Sequence, residues 1–184
     1  MTERAVAFCG FRPGARLLDV GCGAGATVEL LCGRYGFAAA GIDPSRALIA
    51  EGVVRNPSLP LSEGKAEALP VEDGTLDAIF CECVLSLVSE PLRALSEFHR
   101  ALRPGGRLIL SDMYDRETEG RGEMETRLAE GGFMVILWED HTPLLKELAA
   151  RLVLAGCPLD GLCAPAGCAA GARPGYYLMI ATKE

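Results

Sequence analysis

The chain has 184 residues, 49% apolar and 23% charged, with a formal net charge of −7. That composition is globular, with room for one packed domain rather than two full ones, and its acidity repels phosphate backbones, which argues against non-specific nucleic-acid binding while tolerating a cationic ligand. Met1-Thr2-Glu3-Arg4 carries no apolar signal core and no run of about 18 apolar residues follows, so neither export nor a membrane span is expected.

In chain order, short β-rich runs alternate with helical stretches, the pattern of an α/β sheet with crossover connections. Arg16–Val20 reads as a first strand entering a glycine cluster. Residues 24–35 have helical spacing and stop near Gly36. Residues 37–42 form a second strand, ending at Asp43-Pro44-Ser45, a turn and helix start for residues 47–54. A short third strand is expected near 61–64, between Pro57, Pro60 and Pro70. Residues 76–81 form strand four, and residues 90–102 an amphipathic helix with Leu92, Leu95, Phe98 and Leu102 on one face. Arg103-Pro104-Gly105-Gly106 stops that helix before strand five at 107–110. A helix at 122–130, a break at Gly131-Gly132, strand six at 133–138 and a helix at 143–154 follow. Residues 156–175, rich in Gly, Pro, Ala and Cys, read as a loop before a last strand at 176–182. No repeat and no linker divides the chain, so one domain over residues 1–184 is expected.

The eight cysteines do not read as a disulfide framework. Cys9, Cys22, Cys32, Cys81 and Cys83 lie inside apolar or glycine-rich patterns, where a free thiol acts as a small hydrophobe. Without an export signal, reduced thiols in a cytoplasmic protein are the expectation. Cys157, Cys163 and Cys168 lack C-x-x-C spacing and a nearby histidine, a weak zinc signal, and no metal site is assigned.

The chemistry concentrates in Asp19-Val-Gly-Cys-Gly-Ala-Gly25, between the first strand and its helix. Glycine permits positive φ and close approach of a ligand to the main chain, and free N–H groups there suit a carboxylate or a phosphate. Asp43, 18 residues after Gly25, can chelate a ribose diol. The spacing also fits the dinucleotide pattern G-x-G-x-x-G/A ending at Ala26. Two features weigh against a nicotinamide oxidoreductase: an acid at Asp19 where an apolar residue is usual, and about 140 remaining residues, few for a second half-sheet and a substrate domain.

The glycine loop resembles motif I of class I (Rossmann-like) methyltransferases that use S-adenosylmethionine. Gly41-Ile-Asp-Pro-Ser45 is similar to that family's acidic motif. Ala66-Glu-Ala-Leu-Pro70, Leu76-Asp-Ala-Ile-Phe80 and Leu102-Arg-Pro-Gly-Gly106 resemble its small-molecule branch in order and spacing, and Ala129-Glu-Gly-Gly-Phe133 continues the likeness weakly. The resemblance implies a seven-stranded, mostly parallel sheet with an antiparallel last strand and helices on both faces. It implies S-adenosyl-L-methionine as cofactor, with the backbone of Gly21, Cys22 and Gly23, and Gly25 in the same loop, against its methionine part and Asp19 near its ammonium. Asp43 would hold the ribose, Ile42 and Pro44 would border the adenine, Ala66 and Glu67 would approach its edge, and Cys81 would lie beside the sulfonium. Many relatives carry Asp where this chain has Lys65, and an ammonium cannot accept a hydrogen bond. Lys65 is therefore left out of the cofactor set.

Expected partners are a small-molecule acceptor, no nucleic acid and no membrane, with the chain a monomer or homodimer. Candidates for the acceptor wall are Glu82, Cys83, Ser86, Asp112 and Tyr114, with Trp138, Glu139, Asp140 and His141 beyond strand six. Of these, Cys83, His141 and Tyr114 are the candidate catalytic residues. His99, on the amphipathic helix, reads as structural. Cys83-Val-Leu-Ser-Leu87 and Ser111-Asp-Met-Tyr114 also resemble arsenite methyltransferases, although Val28 stands where a further cysteine is expected. Binding of the cofactor without catalysis is the alternative from another class.

Overall fold

The computed structural model describes residues 1–116, 120–156 and 173–184. Seven strands form one sheet: β1 (Arg16–Val20), β2 (Ala38–Asp43), β3 (Leu61–Glu63), β4 (Leu76–Glu82), β5 (Leu102–Asp115), β6 (Phe133–Asp140) and β7 (Pro174–Lys183). Their order is β3-β2-β1-β4-β5-β7-β6. The pairs from β3 to β5 are parallel, whereas β7 runs antiparallel to both β5 and β6. The expected fold is the one observed.

Both faces of the sheet are covered, and the strand alternation shows how. Leu18, Ile79, Leu108 and Met179 belong to one buried cluster, while Leu17, Phe80, Ile109 and Leu178 belong to the other. Side chains point to opposite faces at each step, so continuous apolar runs are what a sheet buried on both sides requires. The first cluster is sealed by helix α4 (Pro91–Ala101) through Ala94, Leu95, Phe98 and Ala101, and by α5 (Arg121–Glu130) through Leu128. The second is sealed by α1 (Thr2–Cys9) through Ala5 and Val6, and by α2 (Ala26–Tyr35) through Val28 and Leu31. Helices α3 (Arg46–Arg55) and α6 (Thr142–Leu154) complete the set.

Three elements depart from the sequence expectation. Helix α1 is additional; with only two residues buried it has too little apolar periodicity to be read. A single 3₁₀ turn, Leu85–Leu87, follows β4. The Arg103-Pro-Gly-Gly106 stop lies within β5 rather than before it, because Leu102 already pairs with Leu76 and the register then shifts to Ala78 opposite Arg107. The cysteines at 157, 163 and 168 and most of the expected loop at 156–175 lie outside the described residues. No described helix is long and apolar enough to cross a membrane.

Strand order reverses between β1 and β4, since the chain proceeds outward from β1 to β3 and then restarts at β4. Crevices at the carboxyl ends of strands at such a switch point are where ligands bind in open α/β sheets. Gly52 helps to set that crevice, because it brings α3 against the glycine loop: an added Cβ would meet the main-chain oxygen of Ala24 at 2.5 Å. Alanine is the better helix former by about 1 kcal/mol, but a carbonyl fixed in a loop cannot rotate aside. The Gly52→Ala variant is expected to be less stable by about 1–2 kcal/mol, the overpacking effect winning; urea denaturation checks the sign.

Candidate functional site

The carboxyl ends of β1, β2 and β4 carry Asp19, Asp43 and Glu82. Each shares the strand parity of residues in the second cluster, Leu17, Ala39 and Phe80, so period-two alternation puts all three carboxylates on the same face. Asp19 is only 4% exposed. Burial, with the charges of Glu82 and Asp43 nearby, pushes its carboxyl up to about 8. Glu82 takes a hydrogen bond from the Thr2 hydroxyl on Oε2, at 2.7 Å, while its Oε1 is buried with no partner. Three acids crowded on one face, one held towards its neutral form and one with an orphaned buried oxygen, are the surroundings that a cation completes.

Asp43 is held as a rigid double acceptor. Its Oδ2 accepts from the Gly23 N–H at 2.9 Å and its Oδ1 from the Ser45 N–H at 2.8 Å. Both oxygens keep a further lone pair for a diol. Between Asp43 and the loop lies a cleft of about 250 Å³, whose walls include Gly21, Asp43, Pro44, Ala66 and Glu67. These expected cofactor residues therefore come together. Val20, Val84, Leu87 and Val88 add apolar wall that no motif announces.

The loop offers something different from what its glycines suggest. The N–H groups of Gly21 and Cys22 both donate to the Ile42 carbonyl, at 2.8 and 3.0 Å, and that of Gly25 donates to the Cys22 carbonyl at 2.8 Å. With Gly23 bonded to Asp43, these four amides are satisfied inside the protein. The expected cradle of amide donors is thus corrected: the loop presents bare main chain. Gly21 has φ 76°, and the Val84 side chain rests so closely on it that an added Cβ would lie 2.2 Å from Val84 Cγ2.

The other expected cofactor residues lie behind the wall. Ile42 and Cys81 are core residues, and burial, reinforced by Asp112, Asp19 and Glu82, drives the Cys81 thiol well up. Cys22 tucks its side chain beneath the loop against Gly41, and burial pushes that thiol up to about 12. Gly25 begins α2 with Leu61 packed against it. Lys65, left out because it cannot accept from an adenine amine, nevertheless lines the cleft.

Among the residues expected at an acceptor wall, Cys83 follows β4 with φ 58°, a left-handed conformation uncommon for any residue but glycine. Its thiol contacts the Tyr176 hydroxyl at 3.0 Å, which donates to Ser111 Oγ at 3.2 Å. Burial raises both the Cys83 thiol and the Tyr176 phenol, so both are neutral at pH 7. His141 begins α6; its N–H donates to the Tyr176 carbonyl at 2.7 Å and its Nε2 meets Glu139 Oε2 at 3.0 Å. Glu139 also pairs with Arg4, so α1 closes this end through Thr2 and Arg4. Asp112 accepts from both the N–H and the hydroxyl of Ser86, at 3.0 Å each. Tyr114 is elsewhere: 8% exposed, it packs edge-on against Trp138 and Tyr177, each at 5.9 Å, on the opposite face from the carboxylates. Tyr176 was missed because its partners are 65 and 93 residues distant in sequence. Among the described residues no three His, Cys, Asp or Glu side chains converge to hold a metal.

The family model described as a methyltransferase domain matches residues 18–110, from β1 through the body of β5. The demethylmenaquinone methyltransferase of Beutenbergia cavernae is 39% identical over 103 residues, 56% of this chain and 42% of that protein. The chain spans less than half the length of several curated relatives it matches. Among solved structures, the cyclase SpnF is 25% identical with a TM-score of 0.76, covering 99% of this chain and 79% of that one. A phosphoethanolamine N-methyltransferase of Haemonchus contortus, in complex with S-adenosyl-L-methionine, shares the fold with a TM-score of 0.77 at 17% identity over 99% of this chain and 52% of its own. The match over more than half of the chain, carried by the glycine loop, the Asp43 turn and the β4–β5 segment, makes this protein a member of the class I, Rossmann-like S-adenosylmethionine-dependent methyltransferase family, in its small-molecule branch.

Proposed function

We propose that the chain, as a single domain, binds S-adenosyl-L-methionine between the Gly21–Gly25 loop and Asp43 and transfers its methyl group to a small-molecule acceptor. The observation that carries this reading is the unpartnered Glu82 Oε1 near Asp19, whose carboxyl is also raised by Asp43. The cofactor fits, because an amino-acid ammonium and a sulfonium are the cations such a face lacks. Asp19 and Glu82 would face them, Asp43 would hold the ribose, and Pro44, Ala66 and Glu67 would flank the adenine. Bound there, the cofactor supplies an electrophilic methyl group open to in-line displacement.

The chain's own part is to position the acceptor and exclude water. Cys83, Tyr176 and Ser111 form a neutral hydrogen-bonded row that can orient an acceptor atom but supplies no strong base. His141, tied to Glu139, is the group placed to take up a proton. Tyr114 is assigned to packing. A neutral Cys83 thiol gives no support to a soft-metalloid substrate, which needs thiolates. A second reading, binding without methyl transfer, is favoured by the close packing of the Val84 side chain on Gly21 within the cleft. Production of S-adenosylhomocysteine on adding a small-metabolite extract separates the two: methyl transfer requires it, and binding alone gives none.

Asp19 makes the reading testable by pH. Its raised carboxyl lowers stability as pH climbs above the unfolded value of 3.8 towards about 8, because the unfolded chain ionises more readily. The Asp19→Asn variant is expected to be more stable than the parent by about 1–3 kcal/mol at pH 7, with the gap closing near pH 4, and to bind the cofactor more weakly. Thermal melts across pH and calorimetry check the two halves. Asp43→Ala removes charge-assisted bonds to the ribose and to Gly23, so cofactor affinity falls about 100-fold; unchanged affinity would remove Asp43 from the site. Tyr176→Phe and Cys83→Ser should lower turnover while leaving cofactor affinity within about threefold, since removing one neutral hydrogen bond at the acceptor wall is a modest change.

A further inference from the structure

At the opposite end of the strands, where β1 and β4 begin, a second concavity of about 610 Å³ opens between the end of α1, the turn from Phe11 to Ala15 and the start of β5. Arg12, Arg103 and Arg107 line it with a single carboxylate, Asp77. That carboxylate is already engaged: Oδ1 accepts from Arg103 Nε at 2.7 Å and Oδ2 from the Arg16 main-chain N–H at 2.7 Å. Arg107 is held in place by neutral acceptors, the Gly105 carbonyl at 2.9 Å and the Thr182 hydroxyl at 2.5 Å. These bonds orient the guanidinium without compensating its charge. Arg12 makes no ion pair among the described residues. Cys9, also in the wall, contributes no anion, because burial pushes its thiol up to about 11.

Three guanidiniums therefore face one carboxylate in a chain whose net charge is −7. Arginine forks match phosphate geometry, and a guanidinium fixed beforehand loses less entropy on binding. The overall negative field disfavours a long polyanion here, but at physiological salt it is screened beyond about 8 Å, so a small anion meets chiefly the local positive charge. Open α/β sheets carry out their chemistry at the carboxyl ends of the strands, which places this groove outside the reaction site.

We propose that the groove framed by Arg12, Arg103 and Arg107 is a second ligand site, for a small molecule bearing two or more phosphate groups. Its size exceeds that of a single ion, and its cations stand on two segments, Arg12 in the turn between α1 and β1 and Arg103 and Arg107 at the start of β5, so one ligand spanning them ties that turn to β5.

Titration of the full chain with sodium tripolyphosphate, followed by calorimetry at low and at moderate KCl, tests the site. Saturable one-to-one binding that weakens with salt is expected, reduced about tenfold by Arg12→Glu. Arg12 is exposed and unpaired, so that variant should fold normally, and its affinity for S-adenosylmethionine should equal the parent's. Absence of saturable binding up to millimolar tripolyphosphate, or equal affinity in the parent and Arg12→Glu, overturns the proposal. Neither result bears on the cofactor cleft.

Discussion

The constraint at the carboxyl end of the sheet is the placing of three carboxylates on one face at the switch point, Asp19 and Asp43 buried and Glu82 with one buried oxygen. Asp19 is nearly buried beside the charges of Glu82 and Asp43, which push its carboxyl up, and one Glu82 oxygen has no hydrogen-bond partner among the described residues. Such an arrangement costs stability by itself. It persists where a ligand returns the cost, and a ligand with two positive centres and a diol answers all three acids. On the proposed reading, the glycine loop would let that ligand lie against the main chain.

The scaffold gives this face its rigidity. Asp43 serves the loop and the crevice at once, since the same carboxylate that would hold a ribose also anchors the Gly23 amide. The loop is tied a second time through the Ile42 carbonyl, so strand β2 dictates the path of the chain after β1. On the other side α1 reaches across to Glu82 and to Glu139, joining the ends of β4 and β6. The surroundings of Asp43 thus rest on local β-α-β geometry, and those of Cys83 and Glu82 on contacts between distant segments.

That division decides how much could be read from the sequence. The β-α-β unit is local, so the meeting of the glycine loop with Asp43 was legible from motif and spacing, and the family resemblance added Ala66 and Glu67, which line the same cleft. The sevenfold sheet and its antiparallel β7 followed from the family resemblance. By contrast Thr2 and Glu82 are 80 residues apart, and Cys83 and Tyr176 are 93 apart; no periodicity encodes such meetings. Tyr114 and Tyr176 are chemically equivalent candidates on paper, and only the pairing of β5 with β7 sends one ring into the Trp138–Tyr177 stack and the other towards Cys83. The amides of the glycine loop misled for a related reason: donors that look free in a motif are taken up by a neighbouring strand.

The central claim is that the acidic face is completed by the cations of one ligand. A crystal structure of the chain grown with S-adenosylmethionine tests it most directly. The account predicts density in the cleft beside Pro44, the ribose on Asp43, and a positively charged group within about 3 Å of the Glu82 oxygen that has no partner. A ligand found elsewhere, or one seated in the cleft with that oxygen still unpaired, would contradict it.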